Sequence, residues 1–234
     1  MPADAPRSLP EDARILIVRF SSLGDVVKAT ALPRLIRRRY PRARITFLTG
    51  ATHLELVRDN PHLTHAIGFE RHRGLRGLGG LLRLALRLRA ERFDLVADVH
   101  RSLRSRLLCA LLGAPRTAYA KRTLQRLLLI HFRWNTYDRS GGGCGKEQDF
   151  LAGLRPWGVE DDGLGSELHV AALEADPALR ARFAGELARV AAWRAAGLPV
   201  LGVAPVAAWP LKRWPLAHVR TLLEALATAG IGPE

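Results

Sequence analysis

The chain has 234 residues, 48% hydrophobic and 25% charged, enough to bury a sizeable core in one large domain or two small ones. No apolar run reaches the roughly 18 residues a membrane-spanning helix needs. Polar Met1–Asp12 does not read as a signal peptide, which needs a basic start followed by an apolar stretch. The two cysteines, Cys109 and Cys144, are too few for a disulfide framework and lack metal-ligand spacing, so a reducing compartment is expected.

The net charge is +14, and it is unevenly distributed. Residues 1–165 hold 29 Lys and Arg against 16 Asp and Glu, whereas residues 166–234 hold 7 against 6. The excess belongs to the first part of the chain. It fits a lobe that meets phosphate, nucleic acid or an anionic membrane surface, although arginine-rich composition can also reflect a GC-rich genome.

Residues 1–13 read as a disordered tail. Arg14 to Phe20 is a nearly continuous apolar run, expected as a strand buried on both faces of a parallel sheet. The turn Ser21–Asp25 leads into a helix from Val26 to Tyr40, stopped by Pro41. A second strand is expected over Ile45–Leu48, a short helix over Thr52–Val57 and a third strand over His65–Phe69. A Gly- and Arg-rich loop, Arg71 to Gly80, precedes an amphipathic helix, Leu81–Ala90. Asp94–Val99 is strand four, Leu103–Leu112 a helix and Thr117–Ala120 strand five. Alternation of this kind predicts βαβ units and a doubly wound parallel sheet, an α/β fold.

After the glycine-rich Ser140–Gly145 comes a helix over Glu147–Trp157. The acidic linker Gly158–Gly165 is the expected boundary, dividing a lobe of residues 14–165 from a partial lobe of residues 166–234. In the latter, strands are expected over Glu167–Val170 and Val200–Ala204 and helices over Pro177–Ala196 and Leu216–Ala229. Two short strands make too small a sheet to stand alone, so the sequence reads as a fragment of a longer protein.

Four segments could carry chemistry. In Val18–Val27, Gly24 permits close backbone approach and Asp25 opens a helix at the carboxyl end of a strand, where open parallel sheets bind ligands. Asp25 could serve as a general base, and a helix cap would explain it equally. There is no GxGxxG fingerprint. In Ala204–Pro215, Lys212 and Arg213 precede a helix N-terminus, a combination suited to phosphate; a solvated surface loop is the plain alternative. At the end of strand four, His100 or Arg101 could face a cleft, while Ser102 could simply cap the next helix. Finally, Arg73, Arg76, Arg83 and Arg87 run at helical spacing opposite Leu81, Leu82, Ala85 and Leu88. That pattern suits a helix on an anionic surface, or the solvated face of a packed one. Few aromatics are present to stack on bases, so nucleic acid is not an expected partner.

Three collinear segments resemble glycosyltransferase family 9, the lipopolysaccharide heptosyltransferase family. They are RILIVRFSSLGDVVKATALPRLIRRRYP (14–41), FDLVADVHRSLRSRLLCALLGAPR (93–116) and LGVAPVAAWPLKRWPLAHVRTLLEAL (201–226). The resemblance implies a GT-B fold of two Rossmann-like lobes, the second incomplete here. The first lobe would bind acceptor and the second the nucleotide-sugar donor. It also implies inverting transfer of a sugar, heptose from ADP-heptose, to the lipopolysaccharide core at the cytoplasmic face of the inner membrane. Neither cofactor nor metal is implied.

Within that pattern Asp25 matches the catalytic base. Lys212, with Arg213, Ala207 and Ala208, falls on the donor side. Ser22, Gly24, Lys28, His100, Arg101, Arg71, Arg73 and Arg76 fall on the acceptor side. The sequence departs from the family where Lys28 replaces a common histidine and Val206 a common glycine. It also ends before the family's later donor segment and returning C-terminal helix. Two rival expectations are a non-catalytic remnant that holds anionic glycolipid and a family member that transfers another sugar to a surface glycan.

Overall fold

The computed structural model describes residues 7–70, 74–118, 123–136, 146–169, 171, 175–198, 200–207 and 210–230. The chain forms two compact units, Met1–Ala175 and Asp176–Glu234. The first is built on five parallel strands: β1 (Arg14–Arg19), β2 (Arg44–Gly50), β3 (His65–Phe69), β4 (Leu95–Asp98) and β5 (Arg116–Thr117). Their spatial order is β3-β2-β1-β4-β5. Ile15 pairs with Ile45 on one side and Leu95 on the other, so β1 is the central strand and needs apolar residues on both faces.

Strand alternation divides the core in two. Ile15, Ile17, Ile45, Phe47, Leu95 and Ala97 point to one face. There they meet α1 (Leu23–Ala29), α2 (Ala31–Arg39) and α7 (Lys146–Ala152) through Val26, Leu32, Ile36 and Phe150. Leu16, Val18, Leu48 and Val96 point to the other face. They pack on α4 (Gly74–Arg89) and α5 (Leu103–Leu112) through Leu81, Ala85, Leu88, Leu108 and Cys109. This three-layer α/β sandwich is the doubly wound arrangement expected from the alternating pattern.

Several element boundaries differ from the sequence reading, each for a local reason. The single helix expected from Val26 to Tyr40 is two, broken at Thr30. Pro33 has no N–H to give the Ala29 carbonyl, and the Thr30 hydroxyl instead turns back to the Val27 carbonyl at 2.6 Å. Helix α4 begins at Gly74, not Leu81, because the buried positions Gly77, Leu81, Ala85 and Leu88 recur at helical spacing and carry the glycines in the helix. The expected Thr52–Val57 helix is a 3-10 turn, Ala51–His53, followed by the single turn α3 (Glu55–Arg58). Among the described residues strand five is Arg116–Thr117, residues 119 and 120 of the expected span lying outside them, and α6 (Thr123–Phe132) follows unanticipated. Past Ala152, residues 155–157 form a 3-10 turn around Pro156.

Residues 7–13 lie against the first unit: the Arg7 amide donates to the Pro156 carbonyl at 2.8 Å, and Ala13 is buried. Residues 167–169, expected as part of a strand, run as irregular chain, held by side chains rather than by a ladder. Arg34 of α2 grips Asp162 with two bonds, 2.8 and 3.0 Å, and also reaches Glu167 at 2.5 Å and the Gly165 carbonyl at 2.7 Å. Asn60 donates to Glu167 at 2.9 Å, and the Glu167 amide donates to the Thr30 hydroxyl at 3.1 Å. The hydrogen bonds from Arg34 bring the Asp162 carboxyl down to about 2, against the opposing push of burial. Burial alone would raise Glu167, but the bonds from Arg34 and Asn60 and the charges of Arg34 and His62 bring it below the usual range.

The second unit contains α8 (Pro177–Ala195) and α9 (Leu216–Thr228). Asp176 caps α8 by accepting from the amides of Ala178 and Leu179 at 2.8 and 3.2 Å, with Pro177 at the first helical position. No strand is present among its described residues, so the one expected over Val200–Ala204 does not form. Without a sheet to cover, α8 buries none of its residues and α9 only Val219.

Candidate active site

The strand order fixes where a ligand can enter. From β1 the chain steps outward through β2 to β3, then crosses back to place β4 on the other side of β1. The loops leaving β1 and β4 therefore diverge at the carboxyl edge, opening a crevice at the switch point. Phe20–Ser22 and Val99–Ser102 are those loops, and both had been singled out from sequence.

Asp25 stands in the first turn of α1, three residues after Ser22, which occupies the N-cap position without a capping side-chain bond. The acidic side chain there suits the helix dipole. Its carboxylate is 23% exposed and lies between two cations. Arg19, the last residue of β1, donates to Oδ2, and Lys146 Nζ of α7 is 3.7 Å from Oδ1. The Ser22 hydroxyl donates to Oδ2 at 3.4 Å.

Arg19 is itself buried. Its second Nη donates to the Val99 carbonyl at 2.5 Å, and its guanidinium lies 5.3 Å from the Phe150 ring centroid. One arginine thus ties the ends of β1 and β4 and the face of α7 to a single carboxylate. Gly24, next along, is exposed, and a Cβ there would meet nothing within 4 Å, so the helix backbone is bare beside Asp25. Lys28 is exposed in the last turn of α1.

On the β4 side, Asp98 is buried and organises the loop. Its Oδ1 accepts from the amides of His100 and Arg101 at 3.2 and 2.8 Å, and its Oδ2 accepts from the Ser105 hydroxyl at 3.2 Å. Ser102 caps α5 in a reciprocal box with Ser105. Arg101 takes φ 51°, a left-handed conformation uncommon for arginine, at the turn these bonds enforce. The half-buried His100 ring packs edge-on against Phe20, 5.3 Å between centroids.

Phe20 also begins a recess of about 480 Å³ along the ends of β1, β2 and β3, lined by Ser21, Gly50, Ala51, Thr52, His53, Phe69 and Glu70. Gly50 is obligatory there, since a Cβ would lie 2.6 Å from the Phe20 carbonyl oxygen. The volume suits a small organic group bound by a mixed apolar and polar wall.

In the second unit, Lys212 ends a 3-10 turn, Pro210–Lys212, just before α9, and is exposed. Arg213 is committed to its own loop: its Nε donates to the Ala207 carbonyl at 2.9 Å and its amide to Pro210 at 3.0 Å. The Trp214 amide closes the loop onto the Pro205 carbonyl at 3.1 Å. Val206 is exposed and is not among the described residues with positive φ, so the branched side chain fits without strain. Ala208, Arg71 and Arg73 lie outside the described residues, as does the side chain of Arg76. Among the described residues no cluster of three metal-ligating side chains occurs.

Arg19 and Lys146 escaped the sequence reading. Arg19 carried a signal: a lone charge inside a strand buried on both faces requires a buried partner. Lys146 carried none, because α7 reaches Asp25 only through tertiary packing.

Comparison with known proteins gives the lineage of the chain. The family model "Glycosyltransferase family 9 (heptosyltransferase)" matches residues 81–232. Over 105 residues the chain is 30% identical to the lipopolysaccharide core heptosyltransferase OpsX of Haemophilus influenzae, covering 45% of this chain and 27% of that protein. Among solved structures, a glycosyltransferase family 9 protein of Veillonella parvula matches with a TM-score of 0.64 at 21% identity, over 93% of this chain and 61% of that one. ADP-heptose lipopolysaccharide heptosyltransferase II of E. coli matches at 0.56 and 21%, over 92% and 62%. E. coli heptosyltransferase WaaC with ADP-2-deoxy-2-fluoro heptose matches at 0.55 and 16%, over 93% and 67%. The chain spans about a quarter of the curated relative and about two thirds or less of the first two of these structures. The structural likeness gives the α/β, GT-B-like fold, and the sequence match gives the lineage: the chain belongs to glycosyltransferase family 9, the heptosyltransferase family.

Proposed function

We propose that this chain is the acceptor-binding lobe and part of the donor-binding lobe of an inverting glycosyltransferase, one that moves heptose from ADP-heptose to the lipopolysaccharide core at the cytoplasmic face of the inner membrane. The observation that carries the reading is the Asp25 carboxylate, partly exposed at the switch-point crevice and gripped by Arg19 and Lys146. Family membership and the ADP-sugar named with one structural neighbour support it.

In this reading the acceptor hydroxyl gives its proton to Asp25 as its oxygen attacks the anomeric carbon from the face opposite the diphosphate. The bond from that carbon to the diphosphate oxygen breaks, the nucleotide leaves with the electron pair, and one displacement inverts the centre. Arg19 holds the carboxylate so that little reorganisation is needed at the moment of transfer. Lys212 offsets charge growing on the departing diphosphate, with the free amides at the start of α9 beside it, and Ala207 and Ala208 are assigned to the donor with it. Ser22, Gly24, Lys28, His100, Arg101 and the arginines at positions 71, 73 and 76 are assigned to the anionic acceptor.

The test is heptose transfer from ADP-heptose to a heptose-deficient lipopolysaccharide core. Asp25→Ala is expected to slow it by about 10²–10⁴-fold, with ADP-heptose binding by calorimetry unchanged. Equal rates in parent and variant would remove the carboxylate from the mechanism. Loss of donor binding in Asp25→Ala would reassign the residue to the donor.

A further inference from the structure

Helix α4 buries Leu81, Ala85 and Leu88 against the sheet. Leu82, which the sequence groups with them, is instead on the outside. It stands in a ridge with Leu78 and Leu86, exposed by 54%, 47% and 62% in chain order 78, 82 and 86. A step of four residues drifts only about 40° around a helix, so the three form one stripe. On α5, Leu103 and Leu107 repeat the step and are 84% and 41% exposed. The two helices lie side by side on the same core, joined by a bond of 3.3 Å from Arg89 to the Leu111 carbonyl.

Charge on this face has one sign. Together α4 and α5 contain Arg76, Arg83, Arg87, Arg89, Arg104 and Arg106 and no Asp or Glu. Arg83, Arg87 and Arg106 are exposed and flank the leucines. A solvated outer face normally mixes signs, as α8 does with its Glu186–Arg189 pair at 2.5 Å. Leucine ridges bordered only by arginine match a surface that is apolar beneath and anionic on top. A second copy of the same face is disfavoured, because it would bring like charges together.

We propose that the outer face of α4 and α5 docks on an anionic phospholipid surface, with the leucines at the acyl boundary and the arginines among the headgroup phosphates. Crossover helices run opposite to their strands, so both begin at the carboxyl edge of the sheet. Leu103 directly follows the Ser102 cap, three residues beyond His100. Docking therefore leaves the mouth of the crevice beside the lipid. That this serves the acceptor rests on the transferase reading above; the docking itself does not.

The experiment is co-sedimentation with vesicles of phosphatidylglycerol and phosphatidylethanolamine, against vesicles of phosphatidylcholine. The chain is expected to bind the anionic vesicles, to release in high salt and to bind phosphatidylcholine weakly. Leu82→Gln, Leu86→Gln and Leu103→Gln combined should weaken binding by at least about tenfold, and Arg83→Gln and Arg87→Gln by about fivefold each. All of these positions are exposed, so thermal melts should match the parent. Transfer to a soluble, delipidated acceptor should be unchanged in the leucine variant, which separates loss of docking from loss of chemistry. Parental binding by the leucine and arginine variants, or equal binding to both vesicle types, overturns the proposal. So does a dimer in solution that the leucine substitutions dissolve, which would assign the face to self-association.

Discussion

On one face of the central sheet, α2 carries Arg34, Arg37, Arg38 and Arg39, and all four are occupied within the first unit. Arg34 holds Asp162 and Glu167; Arg37 donates to the carbonyls of Pro41, Ala43 and His62; Arg38 lies 3.9 Å from Asp162; Arg39 lies over the Tyr40 ring. On the opposite face Arg83 and Arg87 are exposed, and no described residue pairs with them. The same residue type, at similar density on two amphipathic helices, thus serves two ends. Where acids are supplied from elsewhere in the chain, arginine fastens irregular segments; where none are supplied, it remains available to something outside.

The contrast can be broken most sharply at Arg34. Arg34→Ala leaves the largely buried Asp162 and Glu167 carboxylates without their cation, and should cost about 3–5 kcal/mol in urea denaturation. A loss of under about 1 kcal/mol would mean that residues 162–167 are held by something other than this arginine. Asp162→Asn should cost less, about 1–3 kcal/mol at pH 7. Its pH dependence gives the sharper reading. Because the folded carboxyl is lowered from 3.8 to about 2, its contribution is present above pH 4 and is lost as pH falls through that interval. Parent and variant stability curves should therefore converge by about pH 2; a constant gap down to that pH would deny the ion pair its role. The smallest effect belongs to the other face: Arg83→Ala and Arg87→Ala should each change stability by no more than about 0.5 kcal/mol. A larger loss would show that these arginines have partners within the protein.

Much of the first unit could be read in advance because its signals are local. Apolar runs at Arg14–Arg19 and Leu95–Asp98 announce buried strands, and the period along α5 announces a packed helix. The loops bearing Asp25 and His100 follow from the rule that parallel sheets bind ligands at their carboxyl ends. What failed was what depends on distant partners. The break at Thr30 is the local exception, since it needed only Pro33 to be weighed against Ala29. Leu82 could be assigned to either side of α4 until the sheet fixed the helix's rotation. Residues 167–169 look strand-like, but a strand requires a neighbour, and Arg34 and Asn60 claim Glu167 instead. The grip on Asp25 joins neighbouring β1 and α1 to the distant α7, and of the two cations only Arg19, six residues away, left a trace in the pattern.

The two-residue length of β5 has a consequence for handling the protein. A sheet's last strand is where a foreign chain can add itself, hydrogen bond by hydrogen bond. Among the described residues that border pairs only Val96 with Arg116 and Ala97 with Thr117, and one of its two side chains is cationic. So brief a template gives an incoming segment little to extend. The first unit should tolerate high concentration without polymerising along that side.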